Sequence, residues 1–133
     1  MSGFLLDTNI PSELVRPQPE PKVTAWVAGQ DLGALFISAV SFGELRKGIA
    51  LREAGKRRME LAAWIETDLS VLFSDRVLPV TQAVAERWGA LDAKRQLAGR
   101  PMNMADGLIA ATALEHDLTL VTRNAKDFAG LGG

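Results

Sequence analysis

The sequence contains no cysteine and only one histidine, His116, among its 133 residues. The lack of cysteine excludes a disulfide framework, a thiolate nucleophile and a cysteine-based zinc site, and it fits a reducing compartment. A single histidine cannot build a histidine metal cage, and a Ser-His triad would have to use His116. A metal site in this chain would therefore be built from oxygen ligands.

A strong net charge and long apolar runs are absent as well. The 15 basic and 16 acidic residues give a net charge of −1, so a nucleic acid would have to be met by a local basic patch. The longest uncharged run, residues 32–43, is shorter than the ~18 residues of a membrane span, and no signal peptide is evident. We expect a cytoplasmic protein without a membrane partner, and its 47% hydrophobic residues suffice for one core.

Short apolar runs alternate with segments of helical periodicity along the chain. This alternation predicts an α/β fold, in the form of a three-layer sandwich whose short, parallel, twisted sheet of four to five strands is flanked by helices. The predicted strands are residues 4–6, 35–38, 77–80 and 118–121. The predicted helices are residues 11–15, 22–28, 41 to about 55, 56–73, 81 to about 99, and 103–116.

Three acidic residues are predicted to lie at one edge of this sheet. Asp7 directly follows the first strand, and Glu44 and Asp106 fall in the first turns of two later helices. Strand carboxyl ends and the starts of the following helices lie on the same side of such a fold, which is where ligands bind. The three carboxylates can therefore form a cluster.

Each acid also has a purely structural interpretation. Ser41-x-x-Glu44 reads as a capping box and Asn103-x-x-Asp106 nearly so, while Asp7 or Asn9 could cap the helix at Pro11. These interpretations explain the positions one by one. They do not explain why all three acids should fall on one edge.

A cluster of carboxylates needs a cation or protons, because like charges at close range repel. Oxygen ligands favour a hard cation such as Mg²⁺ or Mn²⁺, and a water on that ion can attack a phosphodiester. Further candidates for the site follow the last strand, namely Thr122, Asn124 and Asp127. Asn124 could ligate a metal or orient water, whereas Asp127 could instead be a turn residue.

Four motifs in this order resemble those of PIN-domain proteins, and among them the VapC-type toxins of type II toxin-antitoxin pairs. The resemblance covers nearly the whole length and implies a single PIN domain over residues 1–133. Similar proteins continue into a final strand, and we expect this strand to be missing or replaced here, because the sequence stops at Gly133. The motifs are Phe4-Leu5-Leu6-Asp7-Thr8-Asn9, residues 38–47, residues 105–114, and Leu120-Val121-Thr122-Arg123-Asn124 with Asp127-Phe128.

The resemblance implies an endoribonuclease that depends on Mg²⁺ or Mn²⁺. Asp7, Glu44 and Asp106 match the family's acidic positions, with Asp7 and Asp106 holding the metal and Glu44 ligating it or orienting the attacking water. The family often has a fourth acid where this chain has Asn124, so Asn124, Asp127 or neither completes the site. A cognate antitoxin and a homodimer are the implied protein partners.

Basic residues near Glu44 and after the last strand are candidates for contact with RNA phosphates, with a solvated helix face as the alternative. The first candidates are Arg46, Lys47 and Arg123. The basic stretch that begins at Arg46 continues through Arg52, Lys56, Arg57 and Arg58, and Lys126 follows Arg123. Two other functions stay open. One is a non-catalytic interaction module of the same fold, and the other is a phosphatase with an Asp nucleophile, which lacks its second acid because that position is Asn9.

Overall fold

The computed structural model of the chain describes residues 3–124 and Phe128. Within them, four short strands form one parallel sheet in the order β3-β2-β1-β4, which confirms the predicted sheet. A final strand beyond residue 128 would lie outside the described residues and stays a prediction. The strands are β1 (Phe4–Leu6), β2 (Leu35–Ser38), β3 (Val77–Leu78) and β4 (Thr119–Val121).

Helices connect the strands and occupy the ranges expected from the sequence to within a few residues. A 3₁₀ turn, Leu32–Ala34, leads into β2, and a π-helical segment, Trp64–Leu69, joins α4 to α5. The α-helices are α1 (Asn9–Leu14), α2 (Pro21–Ala28), α3 (Ala39–Ala50), α4 (Lys56–Ala63), α5 (Ser70–Leu72), α6 (Gln82–Leu97) and α7 (Met104–Glu115).

Two details of the helix predictions were wrong. Helix α3 begins directly after β2 instead of at Ser41, because the Ser38 hydroxyl caps it by accepting a hydrogen bond from the Val40 N–H at 3.0 Å. The stretch 56–73 is not one regular α-helix. Its middle widens into a π-helix, where the Ser70 hydroxyl donates to the Ile65 carbonyl at 2.7 Å.

The sheet is buried on both faces, which explains why its strands are continuous apolar runs. Leu6 and Ile37 pack on one side with the π-helical segment and the first helices. Leu5 packs on the other side with Ile109 of α7. Helices on both faces make the predicted three layers, and among the described residues no helix combines the length and apolar character of a membrane span.

Candidate active site

The carboxyl ends of β1 and β4 meet at one edge of the sheet. Leu6 pairs with Val121, and the Asp7 N–H continues the ladder by donating to the Val121 carbonyl at 2.9 Å. This register places Thr122 next to Asp7, and the Thr122 hydroxyl donates to Asp7 Oδ2 at 2.7 Å. Asp7 is only 5% exposed, so its carboxylate is a buried acceptor held from both strands.

Thr8 connects Asp7 to Glu44. Its backbone N–H donates to Asp7 Oδ1 at 2.8 Å, and its hydroxyl donates to Glu44 Oε1 at 2.6 Å. The Thr8 hydroxyl also lies 2.7 Å from the Ser41 hydroxyl. Because its one proton goes to Glu44, Ser41 must be the donor in that contact. The two residues that directly follow β1 are thus linked by hydrogen bonds to two residues of α3.

The structural interpretations of Asp7 and Glu44 are wrong. Thr8 occupies the N-cap position of α1 and makes no side-chain cap bond, so neither Asp7 nor Asn9 caps that helix. Ser41 cannot form the proposed capping box because α3 already begins after Ser38, and its hydroxyl is bonded to Thr8. Both acids therefore face the sheet edge for a reason other than helix capping.

The structural interpretation of Asp106 is confirmed. Asn103 Oδ1 accepts from the Asp106 N–H at 2.8 Å and so caps α7, and Asn103 Nδ2 donates to Asp106 Oδ2 at 2.9 Å in an arrangement close to a capping box. The start of α7 nevertheless lies beside α3, since Ala105 lines one shallow cavity together with Glu44 and Lys47. Asp106 is half-buried at that same side of the sheet.

The predicted cluster of three carboxylates does not form a ready metal cage. Among residues 3–124 and Phe128, no three His, Cys, Asp or Glu side chains are grouped so that they could hold a metal ion. The bond from Asn103 draws the Asp106 carboxylate back toward its own helix. What the structure brings together is Asp7 and Glu44, through Thr8.

The donor chemistry at this edge fits Mg²⁺ or Mn²⁺. The site contains the carboxylate oxygens of Asp7 and Glu44. The hydroxyl oxygens of three residues surround them, namely Thr8, Ser41 and Thr122. Mg²⁺ is usually bound through one or two carboxylates and keeps several waters, so a cage of three acids is not required. A carboxylate that accepts two hydrogen bonds, as Asp7 does, still has lone pairs for a cation.

The three additional site candidates have different outcomes. Thr122 contacts Asp7 directly and also accepts a hydrogen bond from the Asn124 N–H at 3.0 Å. The side chain of Asn124 is exposed and makes no hydrogen bond within the described part of the chain. Asp127 lies outside the described residues. Of the two candidates that the structure describes, Thr122 is the one that contacts the Asp7 carboxylate.

The three candidates for RNA contact are also placed differently. Arg46 pairs with Glu66 at 3.1 Å on the outer side of α3, and Arg123 pairs with Glu13 at 2.7 Å. Lys47 is exposed and lines the shallow cavity beside Glu44, and its side chain makes no hydrogen bond or ion pair with the described residues. Lys47 is thus the only one of the three that is both uncommitted and next to the candidate site.

Glu13 is a buried carboxylate that the sequence analysis missed. It is 5% exposed, and it accepts from Arg123 Nη1 at 2.7 Å, from Arg16 Nη1 at 3.2 Å and from the Glu20 N–H at 2.8 Å. The bond from the Glu20 N–H, with the charges of Arg123 and Arg16, holds the pKa of Glu13 below its usual value against the opposing effect of burial. Its position three residues after the buried Ile10 of α1 was the available signal.

Glu13 anchors the segment that carries Thr122. Arg123, held by Glu13, also donates its backbone N–H to Asn9 Oδ1 at 3.3 Å, and Asn9 Nδ2 donates to Thr122 Oγ1 at 3.3 Å. Asn9 is therefore engaged in positioning the end of β4. This use weighs against the alternative in which it occupies the proton-donor position of a phosphatase.

Together these observations define a parallel α/β domain with an acidic, oxygen-rich site at the carboxyl edge of its sheet. A sequence profile of the PIN domain matches residues 4–132, and the chain belongs to the PIN-domain family.

Several known proteins are similar to the chain over most of its length. Toxin FitB of Neisseria gonorrhoeae is 40% identical over 125 residues, which are 94% of this chain and 90% of that protein. The VapC ribonuclease Y4jK of Sinorhizobium fredii is 36% identical over 129 residues, 97% of this chain and 92% of that protein. The crystal structure of FitAcB from Neisseria gonorrhoeae superposes with a TM-score of 0.86 at 39% identity, covering 95% of this chain and 91% of that one.

Proposed function

We propose that the chain is a metal-dependent endoribonuclease of the VapC type, a toxin that a cognate antitoxin neutralises. The observation that carries the proposal is the bridge formed by Thr8 between the buried Asp7 carboxylate and Glu44 at the edge of the sheet. Relatives named as a toxin and as a VapC ribonuclease, each similar over more than nine-tenths of this chain, support the same assignment.

The residues at this edge of the sheet would have separate roles in catalysis. Asp7 and Asp106 would hold Mg²⁺ or Mn²⁺, and Glu44 would ligate the ion or orient the attacking water. Thr8 engages Glu44 Oε1, which leaves Oε2 to hold that water or accept its proton. When bound, the ion polarises the phosphoryl oxygen and makes a water molecule acidic enough to attack the phosphorus.

The proposed partners are an RNA substrate, the antitoxin and a second copy of the chain in a homodimer. Several large apolar side chains are exposed on or directly after helices and are our candidates for the surfaces that other chains would cover. The most exposed are Leu97 at 90%, Leu51 at 78% and Met59 at 73%.

Cleavage of RNA by the purified chain, freed of its antitoxin, tests the proposal. We expect cleavage with Mg²⁺ or Mn²⁺, none with a chelator, and a loss of at least about a hundredfold in Asp7→Asn, as is typical when a group that stabilises the transition state is removed. Asp92→Asn is the matched control, because Asp92 is a half-buried carboxylate of α6 that accepts a hydrogen bond from Gln96 Nε2 at 2.9 Å and was not assigned to the site. Full cleavage by Asp7→Asn would refute the assignment, and a wild-type chain inactive on RNA would favour the non-catalytic module.

A further inference from the structure

A cavity of about 460 Å³ opens beside Thr8 and Glu44, between α1, α3 and α4. Part of its wall is apolar and includes Leu61 and Trp64. Three arginines, Arg16, Arg52 and Arg57, also line it, whereas Glu44 is the only acid among its lining residues. The cavity therefore combines an apolar surface with a net positive charge next to the candidate active site.

Two of the three arginines, Arg52 and Arg57, belong to the basic stretch that follows Glu44 in the sequence. Arg52 is exposed, and its side chain makes no hydrogen bond or ion pair within the described ranges. Arg57 is fixed at the cavity by its bond from Nη2 to the Val15 carbonyl at 2.7 Å. Arg16 contacts Glu13 through Nη1, but its side chain is 64% exposed. Arg57 Nη1 also lies 3.8 Å from Glu60 Oε1, so two of the three guanidinium groups have an acidic neighbour. Within the described ranges, Arg52 is the one whose guanidinium has no ion-pair partner.

We propose that this cavity binds one nucleotide of the RNA next to the cleaved bond, with the phosphate on Arg52, Arg16 and Arg57. The inference rests on the proposed function, since it assumes an RNA chain that passes Glu44. A phosphate near Asp7 and Glu44 is repelled by them, and the planar, forked donors of arginine match phosphate oxygens. The cavity volume lies within the range of roughly 300 to 1,000 Å³ that is common for small-ligand sites, and the apolar wall beside Trp64 suits a base.

The test is the salt dependence of binding to a short, end-labelled single-stranded RNA, followed by fluorescence anisotropy in chelator so that no cleavage occurs. The measured quantity is the slope of the logarithm of the association constant against the logarithm of the salt concentration. For Arg52→Gln we expect this slope to become shallower by about 0.7, the value for one phosphate contact on a single strand. If the variant and the wild type bind RNA equally at 1 M salt, this difference in slope makes the variant bind roughly fivefold more weakly than the wild type at 0.1 M salt.

Arg58→Gln is the matched control. It removes the same charge, and Arg58 lines a separate groove with Arg46 and Met59. We expect its slope to equal that of the wild type. Equal slopes for Arg52→Gln and Arg58→Gln would overturn the proposal. So would an Arg52→Gln variant that keeps full RNA binding but loses affinity for the antitoxin, because the cavity would then be a protein-docking site.

The outcome separates this inference from the proposed function. RNA binding that depends on Arg52, together with no cleavage when metal is added, would support the cavity and contradict the nuclease assignment. Metal-dependent cleavage with RNA binding unaffected by Arg52→Gln would contradict only the cavity.

Discussion

Thr8 is the side chain on which the candidate site depends most directly. It contacts both Asp7 and Glu44, and it fixes Glu44 through a hydroxyl that also receives the Ser41 proton. Its backbone bond to Asp7 does not involve the side chain and would survive substitution by valine or serine, whereas the link to Glu44 needs the hydroxyl. Thr8 is therefore a positioning residue for Glu44.

Thr8→Val should keep the fold and reduce RNA cleavage. The lost hydrogen bond to a charged acceptor corresponds to about 1.5 to 3 kcal/mol, or roughly a ten- to hundredfold lower rate. Single-turnover cleavage with saturating metal measures the change. Thr8→Ser, which retains the hydroxyl, should restore most of the rate, and equal rates for Thr8→Val and wild type would show that Glu44 needs no such support.

Glu13 should make the stability of the fold depend on pH in a defined direction. Its pKa is lower in the folded chain than the ordinary value of 4.5, so the unfolded chain binds a proton more readily than the folded one. The contribution of Glu13 to the free energy of unfolding is therefore complete above pH 4.5, and it is lost as the pH falls through the pKa of the folded chain.

Urea unfolding of wild type and Glu13→Gln checks this direction. We expect the variant to be less stable at neutral pH because Arg123 and Arg16 lose their carboxylate partner. The difference in the free energy of unfolding should shrink in acid. A difference that stays constant into acid, or that grows there, would contradict the charge-based explanation.

Helices α3 and α7 deliver Glu44 and Asp106, and their starting residues decide where these acids lie. The sequence correctly predicted the cap of α7 at Asn103, because that residue is followed three positions later by an acid. For α3, two serines compete, and the choice of Ser38 over Ser41 depends on Thr8, which is distant in sequence. Local patterns therefore identified the acids, whereas long-range contacts decided their roles.

The same distinction explains which residues escaped prediction. Glu13 accepts a hydrogen bond from Arg123, which is 110 residues away in the sequence. The residues next to either one do not indicate this pairing. The strands were predictable because burial on both faces leaves continuous apolar runs. The π-helical segment was not, because its widened turn has no apolar period that distinguishes it from α-helix.

The packing of α6 against α7 gives a prediction for Gly107, the neighbour of Asp106. A Cβ at this position would lie 2.7 Å from Trp88 Cδ1, closer than real contacts allow, so Gly107→Ala should push the two helices apart. We expect a loss of about 1 to 3 kcal/mol in the free energy of unfolding, as for other overpacked sites.

Gly89→Ala in α6 is the control, because its Cβ would meet nothing within 4 Å. It should leave stability unchanged or raise it by up to about 1 kcal/mol, the helix preference of alanine over glycine. Equal stabilities for the two alanine variants would mean that Trp88 does not determine the spacing of α6 and α7.

The described part of the chain is organised around one edge of one sheet. Two apolar clusters, one on each face, hold the parallel strands, and the carboxyl ends of β1 and β4 place Asp7 beside Thr122. Membership of the PIN-domain family and the ribonuclease relatives agree with a nuclease built at this edge. The metal is the part of the proposal that needs its own measurement.

Thermal unfolding with increasing Mg²⁺, in the absence of RNA, tests the central claim most directly. At ten times the Kd, a cation that binds only the folded chain raises the free energy of unfolding by about 1.4 kcal/mol, which shifts Tm by a few degrees. The account predicts this rise for the wild type and for Asp92→Asn, and its loss in Asp7→Asn. A Tm that does not respond to Mg²⁺ or Mn²⁺, or that rises equally in Asp7→Asn, would contradict a metal site at Asp7.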